Sequence, residues 1–283
     1  MLAGPLPGPT DSSGRSGGSD CTSSVALEST SHATKRQSST RDLSIGILPP
    51  DRSQFVRQQN SGESMDRQVK RIGVIGDVHA EDELLAVATQ FLSSRELDLV
   101  VCVGDVVDGK GDVNRCCELL RQRRIPAVRG NHDRWLLEGT NRGVKDASQP
   151  EQVNAGSRLY LATLPATLEY STANGTLLLC HGLGEYDLAS VRPTDTAEEI
   201  YNNLELWGLY RRADLRFVIN GHTHRRDVRR FHHLTVISAG TLHRDEAPSC
   251  AIIDIPDAAA EFYDVHGDGT VTFAVRTGWH GVT

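Results

Sequence analysis

From Lys70 onward, short apolar runs alternate with stretches of helical spacing, a pattern that predicts an α/β domain whose buried strands follow one another through crossover helices. Residues 72–76, 97–103 and 125–128 read as strands, with helices over 81–93 and 113–123 between them and Leu119 and Leu120 turned inward. A helix over 152–164 stops at Pro165, and 166–180 predicts a hairpin turning at Asn174-Gly175. One helix fills 197–207. Beyond Arg216, the runs 217–220, 234–238, 251–255, 261–265 and 271–275 are strand-like and separated by turn signals, which predicts a second, more antiparallel sheet. Residues 184–196 carry no pattern and are a candidate substrate-facing loop.

The first 64 residues are rich in Ser, Gly and Thr, poor in aromatics and without periodicity, a composition that buries too little surface to offset ordering entropy. The chain of 283 residues therefore divides into an expected disordered tail, 1–64, and one domain, 65–283. Met65 opens the patterned region and raises the expectation of a later translation start.

Charge narrows the function classes. With 30 Lys and Arg against 37 Asp and Glu the net charge is -7, a poor background for stable nucleic-acid binding, so an anionic substrate needs a local site. The six cysteines show no regular framework and lie mostly in apolar runs, which points to a reducing, cytoplasmic setting. The opening MLAGPLPGPTDSSG lacks a basic region followed by an apolar one, and no apolar run reaches the length of a membrane span, so neither export nor anchoring is expected.

Five times an apolar run ends in Gly or Cys followed by a metal-competent side chain: GDVH (76–79), GDVVD (104–108), GNHD (130–133), CHG (180–182) and GHTH (221–224). Ligands gather beyond the carboxyl ends of strands in α/β sheets, so these turns are expected to converge. Convergence supplies Asp77, His79, Asp105, Asn131, His181, His222 and His224, an oxygen and imidazole set suited to manganese, iron, zinc or nickel. Seven ligands exceed one tetrahedral site and fit two divalent ions sharing a carboxylate.

In this order the motifs D-x-H, G-D-x-x-D, G-N-H-D, H-G and G-H-x-H resemble the calcineurin-like metallophosphoesterase superfamily, over about residues 72–255 and closest in appearance to its small bacterial phosphodiesterase branch. The resemblance implies two packed β-sheets flanked by helices in a four-layer sandwich. It also implies hydrolysis of a phosphate ester by a water or hydroxide shared between two metals. Asp77, His79, Asp105 and His224 would hold one ion, and Asp105, Asn131, His181 and His222 the other, with Asp105 bridging. His132 would be the general acid and Asp108 the carboxylate that keeps it protonated.

A small phosphodiester is the expected substrate, because Gly109-Lys110 and the position of Arg134 depart from the protein serine/threonine phosphatase branch. That branch, dinucleoside polyphosphate hydrolysis and a non-enzymatic interaction scaffold stay open as alternatives. Arg225, Arg226, Arg229, Arg230 and His232-His233 read as an exposed basic hairpin, whereas His243 and Arg244 stand as readily for a turn near the metals as for a plain turn. Arg134 and Trp135 are either substrate contacts or a helix start with Trp135 inward, and the cysteines of the apolar runs are core residues.

Overall fold

The computed structural model describes residues 68–140 and 143–279, so the expected disordered tail and the boundary beside it lie outside the described residues. β1 (Arg71–Ile75) and β2 (Leu99–Cys102) pair in parallel, linked by α1 (Asp82–Ser93), which buries Leu84, Leu85, Ala88 and Leu92 along one stripe. α2 (Val113–Gln122) is capped by Asp112, whose carboxylate accepts from the Asn114 and Arg115 amides, and it buries Leu119 and Leu120 as expected. The strand expected over 125–128 reduces to one bridge between Ala127 and Cys102. Pro126 has no N–H with which to extend a ladder.

α3 (Asn131–Glu138) and a 3₁₀ turn (Pro150–Gln152) lead to α4 (Ala155–Thr163). The helix expected from 152 starts later because the Asn154 side chain caps it, accepting from the Ser157 amide at 2.8 Å. β3 (Thr167–Thr172) and β4 (Gly175–Cys180) form the expected hairpin, but Thr172 pairs with Gly175 and the turn is Ala173-Asn174, one residue early. The helix expected over 197–207 is two, α5 (Ala197–Tyr201) and α6 (Leu204–Tyr210), because Asn203 caps a second start on the Leu206 amide.

The remaining strands are β5 (Leu215–Asn220), β6 (Arg226–Phe231), β7 (Leu234–Ala239), β8 (Ser249–Asp254), β9 (Ala259–Val265) and β10 (Val271–Gly278). They do not make one sheet of their own. β5 to β7 extend the β3–β4 hairpin into the order β3-β4-β5-β7-β6, whereas β8 to β10 return to β1 in the order β10-β9-β8-β1-β2. Periodicity marks every one of these strands except the basic β6 and says nothing about which sheet a strand joins. The basic stretch is indeed one arm of a hairpin, β6 against β7.

Both sheets are apolar on both faces. Ile72, Val74, Val101 and Val103 of the first meet Leu177, Leu179, Phe217, Ile219 and Ile237 of the second. On the outer face of the first sheet, Leu85, Ala88, Cys116 and Leu120 from α1 and α2 cover Ile75, Cys102, Cys250 and Ile252. Leu206 and Leu209 cover Leu178, Val218 and Val236 on the second. The result is helices, sheet, sheet, helices, with each fully buried Leu, Ile or Val contributing about 1.5–3 kcal/mol. The five described cysteines are free and buried, and burial pushes the Cys180 and Cys250 thiols up to about 12. Among the described residues no helix is long and apolar enough to cross a membrane.

Candidate metal centre

Asp77 follows β1, Asp105 follows β2, Asn131 follows the Ala127 bridge, His181 follows β4 and His222 follows β5. The carboxyl ends of both sheets therefore feed one site, and all nine residues expected from the motifs meet there. Two glycines make the approach possible. A Cβ on Gly130 would stand 2.1 Å from Asp105 Oδ1, and one on Gly221 would stand 2.1 Å from Asp77 Oδ1. His79, Asp105, Asp108, His222 and His224 all have positive φ, between 46° and 66°, a region L-residues rarely adopt. Backbone strain of this kind, costing about 1–3 kcal/mol per residue, persists where surrounding contacts enforce it.

The imidazoles are oriented from behind. His79 Nδ1 lies 2.9 Å from the Asp108 carbonyl, His181 Nδ1 2.9 Å from the Val103 carbonyl and His224 Nδ1 2.8 Å from Glu246 Oε1. Each acceptor takes the proton on Nδ1 and turns Nε2 toward the centre of the site. His79 Nε2 and His224 Nε2 then face each other at 2.9 Å, lone pair to lone pair, with Asp77 Oδ2 3.5 Å from His224. Asp77 Oδ2 is buried and has no hydrogen-bond partner among the described residues. Such a pocket is unfavourable until a cation or a proton enters it.

A second group shares Asp105. His181 Nε2 lies 3.1 Å from Asp105 Oδ2 and 2.9 Å from Asn131 Oδ1, which is also 2.9 Å from His222 Nδ1. Asp105 Oδ2 is 4.0 Å from His79 Nε2 as well, so one oxygen stands between the groups. The donor atoms of Asp77, His79 and His224, and those of Asp77, Asp105 and His181, each lie within 4.8 Å of one another. His132 forms a comparable group with His79 and Asp105, but its Nδ1 is 2.7 Å from Asp108 Oδ2. Burial acts to lower the His132 pKa and is outweighed by the Asp108 hydrogen bond and the charges of Asp105 and Asp108, so the pKa is raised. That direction favours the protonated ring, which donates a proton rather than a lone pair.

The electrostatics fit cations. Burial pushes Asp77 up to about 6 and lowers His79 and His222 to about 4. Burial also acts to lower His181, but the Asp105 and Asp77 carboxylates hold it at about 10. Burial acts to raise Asp105 and is outweighed by His181, His132 and His79, which hold it well below the carboxylate range. Two carboxylates in a dry pocket, with His79 and His222 held neutral and His181 able to give up its proton to an incoming ion, are suited to divalent cations.

The motifs give several residues at the site no metal or acid role. Asp133 is fully buried and accepts from the amides of Val106 (2.8 Å), Val107 (3.2 Å) and Gly130 (3.0 Å), locking the GNHD turn to the GDVVD turn. Its place in the first turn of α3 was the available signal. Ser148 exchanges two hydrogen bonds with Asp108, its hydroxyl accepting from the Asp108 amide and its amide donating to Oδ1. Nothing in the sequence marked it. Arg134 is committed to Asp187 and Glu138, which also fastens the patternless 184–196 segment beside α3.

Comparison with known proteins gives the same picture. The model of the calcineurin-like phosphoesterase superfamily domain matches residues 71–258. Over 130 residues the chain is 28% identical to serine/threonine-protein phosphatase 1 of Salmonella typhimurium, covering 40% of this chain and 58% of that protein. Over 75 residues it is 35% identical to serine/threonine-protein phosphatase 2 of Escherichia coli, covering 26% of this chain and 34% of that protein. The matched segments thus span little more than half and about a third of these curated relatives. In fold the chain is similar to a hypothetical protein of Pyrococcus horikoshii, with a TM-score of 0.56, 13% identity, and coverage of 69% of this chain and 88% of that one.

Proposed function

The chain belongs to the calcineurin-like phosphoesterase superfamily, and on that footing we propose that it hydrolyses phosphate esters with two divalent cations, manganese being the first candidate. Asp77, His79, Asp105 and His224 would hold one, and Asp105, Asn131, His181 and His222 the other. Bound there, the ions neutralise charge on phosphoryl oxygens and lower the pKa of water at the site. The observation that carries this reading is the His79–His224 pair, whose Nε2 atoms stand 2.9 Å apart with both Nδ1 atoms already engaged, beside the unpartnered Asp77 Oδ2.

The chain's own contribution is proton delivery. His132 Nδ1–H is spent on Asp108, so Nε2–H is the proton given to the departing oxygen, and the Asp108 charge keeps it in place until bond breaking. This dyad serves no ligand role, which argues against a purely structural use of the fold.

A small phosphodiester is the favoured substrate. Lys110 is held by Asp245 at 2.6 Å and Arg134 by Asp187 at 2.6 Å, so neither cation is spare for the second charge of a monoester. The two curated relatives named as serine/threonine phosphatases favour a second reading, a phosphoprotein monoester. Hydrolysis of bis-p-nitrophenyl phosphate and p-nitrophenyl phosphate, side by side after chelation and manganese re-addition, separates them, with Asp105→Asn as control. A manganese-dependent preference for the diester supports the first reading and a preference for the monoester the second. Activity that survives Asp105→Asn with full metal content sinks both.

A further inference from the structure

Beyond β7 the chain runs His243-Arg244-Asp245-Glu246, and each of these four residues fastens to the site or its rim. The Thr241 hydroxyl donates to the Asp77 carbonyl at 3.0 Å and the Leu242 amide to the same carbonyl at 2.7 Å, which anchors the segment on the first ligand turn. Arg244 makes three contacts of 2.7–2.8 Å with the carboxylate of Glu81, which is 1% exposed, and its amide donates to Glu81 Oε1 at 3.0 Å. Asp245 pairs with Lys110 on the GDVVD turn, and Glu246 accepts from His224. A buried carboxylate matched by a guanidinium and a backbone amide fixes geometry at a cost in desolvation. In this segment the residue so fixed is the neighbour of Arg244, His243.

The His243 ring lies 5.4 Å from the ring of His79 at 73°, and stacks on His224 at 6.3 Å and 26°. Its amide is held by Thr241 Oγ1 at 3.0 Å. The Asp245 amide donates to His243 Nδ1 at 3.3 Å, which makes Nδ1 the acceptor and places the ring proton on Nε2. A half-buried imidazole with an N–H donor beside the candidate ligand cluster is what a phosphoryl oxygen requires, and Lys110, Arg134 and Arg244 are each committed to a carboxylate.

We propose that His243 is a substrate-binding residue whose Nε2–H donates to a non-bridging phosphoryl oxygen, held in place by the Arg244–Glu246 strap. The proposal takes from the hydrolytic reading only that the ligand is a phosphate ester. Inorganic phosphate, titrated calorimetrically into the manganese-loaded protein, serves as the probe and needs no turnover. His243→Ala should weaken phosphate binding by about tenfold to a hundredfold, the worth of a hydrogen bond to a charged group. His243→Gln, which restores a donor, should recover part of the loss. Both should keep the wild-type metal content, and KM for bis-p-nitrophenyl phosphate should rise more than kcat falls. Unchanged phosphate affinity in both variants overturns the proposal, as does a parallel loss of metal, which would make His243 a ligand. A wild-type protein that binds phosphate through His243 but turns over neither ester would sink the hydrolytic reading and leave this one standing.

Discussion

Asp108 Oδ2 lies 2.7 Å from His132 Nδ1, while the carbonyl of the same Asp108 takes the Nδ1–H of His79 at 2.9 Å. One residue in a left-handed conformation, φ 66°, thus orients the His132 ring, the proposed acid, with its side chain and the His79 ring, a proposed ligand, with its backbone. The two tasks are separable by mutation, because only the first depends on the carboxylate.

Asp108→Asn should therefore spare metal binding and change the pH profile. The raised His132 pKa keeps the imidazolium present below it, and the acid is lost as pH rises through it. Without the Asp108 charge that pKa falls, so the alkaline limb of kcat/KM moves to lower pH. Asp108→Ala should cost about a hundredfold, most with poor leaving groups. Profiles of wild type and variant on an aryl phosphodiester and an alkyl one decide the matter; an unmoved limb removes His132 from the acid role.

Metal uptake should release a proton. In the metal-free protein His181, held at about 10, is protonated at pH 8, whereas a ligand must be neutral. Apparent metal affinity should rise with pH up to about 10 as that proton becomes easier to displace. Asp77 and the neutral His79 and His222 contribute none at pH 8, being already deprotonated. Manganese titrations at pH 8 in buffers of different ionisation enthalpy count the protons; a count of zero contradicts this assignment.

Asp133→Ala should be among the most destabilising substitutions in the domain. It orphans three buried amides, those of Val106, Val107 and Gly130, and a loss of about 3 kcal/mol or more is expected. Asp133→Asn keeps an acceptor and should lie between. Urea midpoints with unchanged m values test the ranking.

Gly221→Ala should separate metal binding from folding. The added Cβ would stand 2.1 Å from Asp77 Oδ1 and 2.6 Å from Val103 Cγ2, so the carboxylate must shift while the sheets need not. Metal affinity, measured by competition with a chromophoric chelator, should fall tenfold or more by the rule of thumb for displaced ligand supports. Wild-type affinity in a folded variant would show that Asp77 has room to move.

The candidate ligands were legible because each is a polar residue placed just after an apolar run, a pattern that survives in one dimension. Asp77, Asp105, His181 and His222 all stand at strand ends for this reason. Residues that act at second hand left no such trace: Ser148 reaches Asp108 from 40 positions away and Glu81 reaches Arg244 from 163. The sheets divided along the same line. Five of the six strands of the last third announced themselves, β6 showing only as a basic hairpin, but β8 returns to β1 whereas β5 joins β4, choices made by the burial of both faces rather than by any local preference. Where the reading missed locally, single side chains decided, Pro126 ending a ladder and Asn203 restarting a helix.

β1 lies between β2 and β8, so the strand that leads into Asp77 and His79 has one bare edge until residues 249–254 have been made. During synthesis the ligand turn after β1 also lacks its brace from Thr241 and Leu242. On the proposed metal reading, capture would wait for the closing stage of assembly, when both sheets are complete, because an emerging chain offers ions only scattered side chains. The proposed cations would then act as a clasp fastened last, stabilising the finished domain by mass action and giving nothing to its partly made forms.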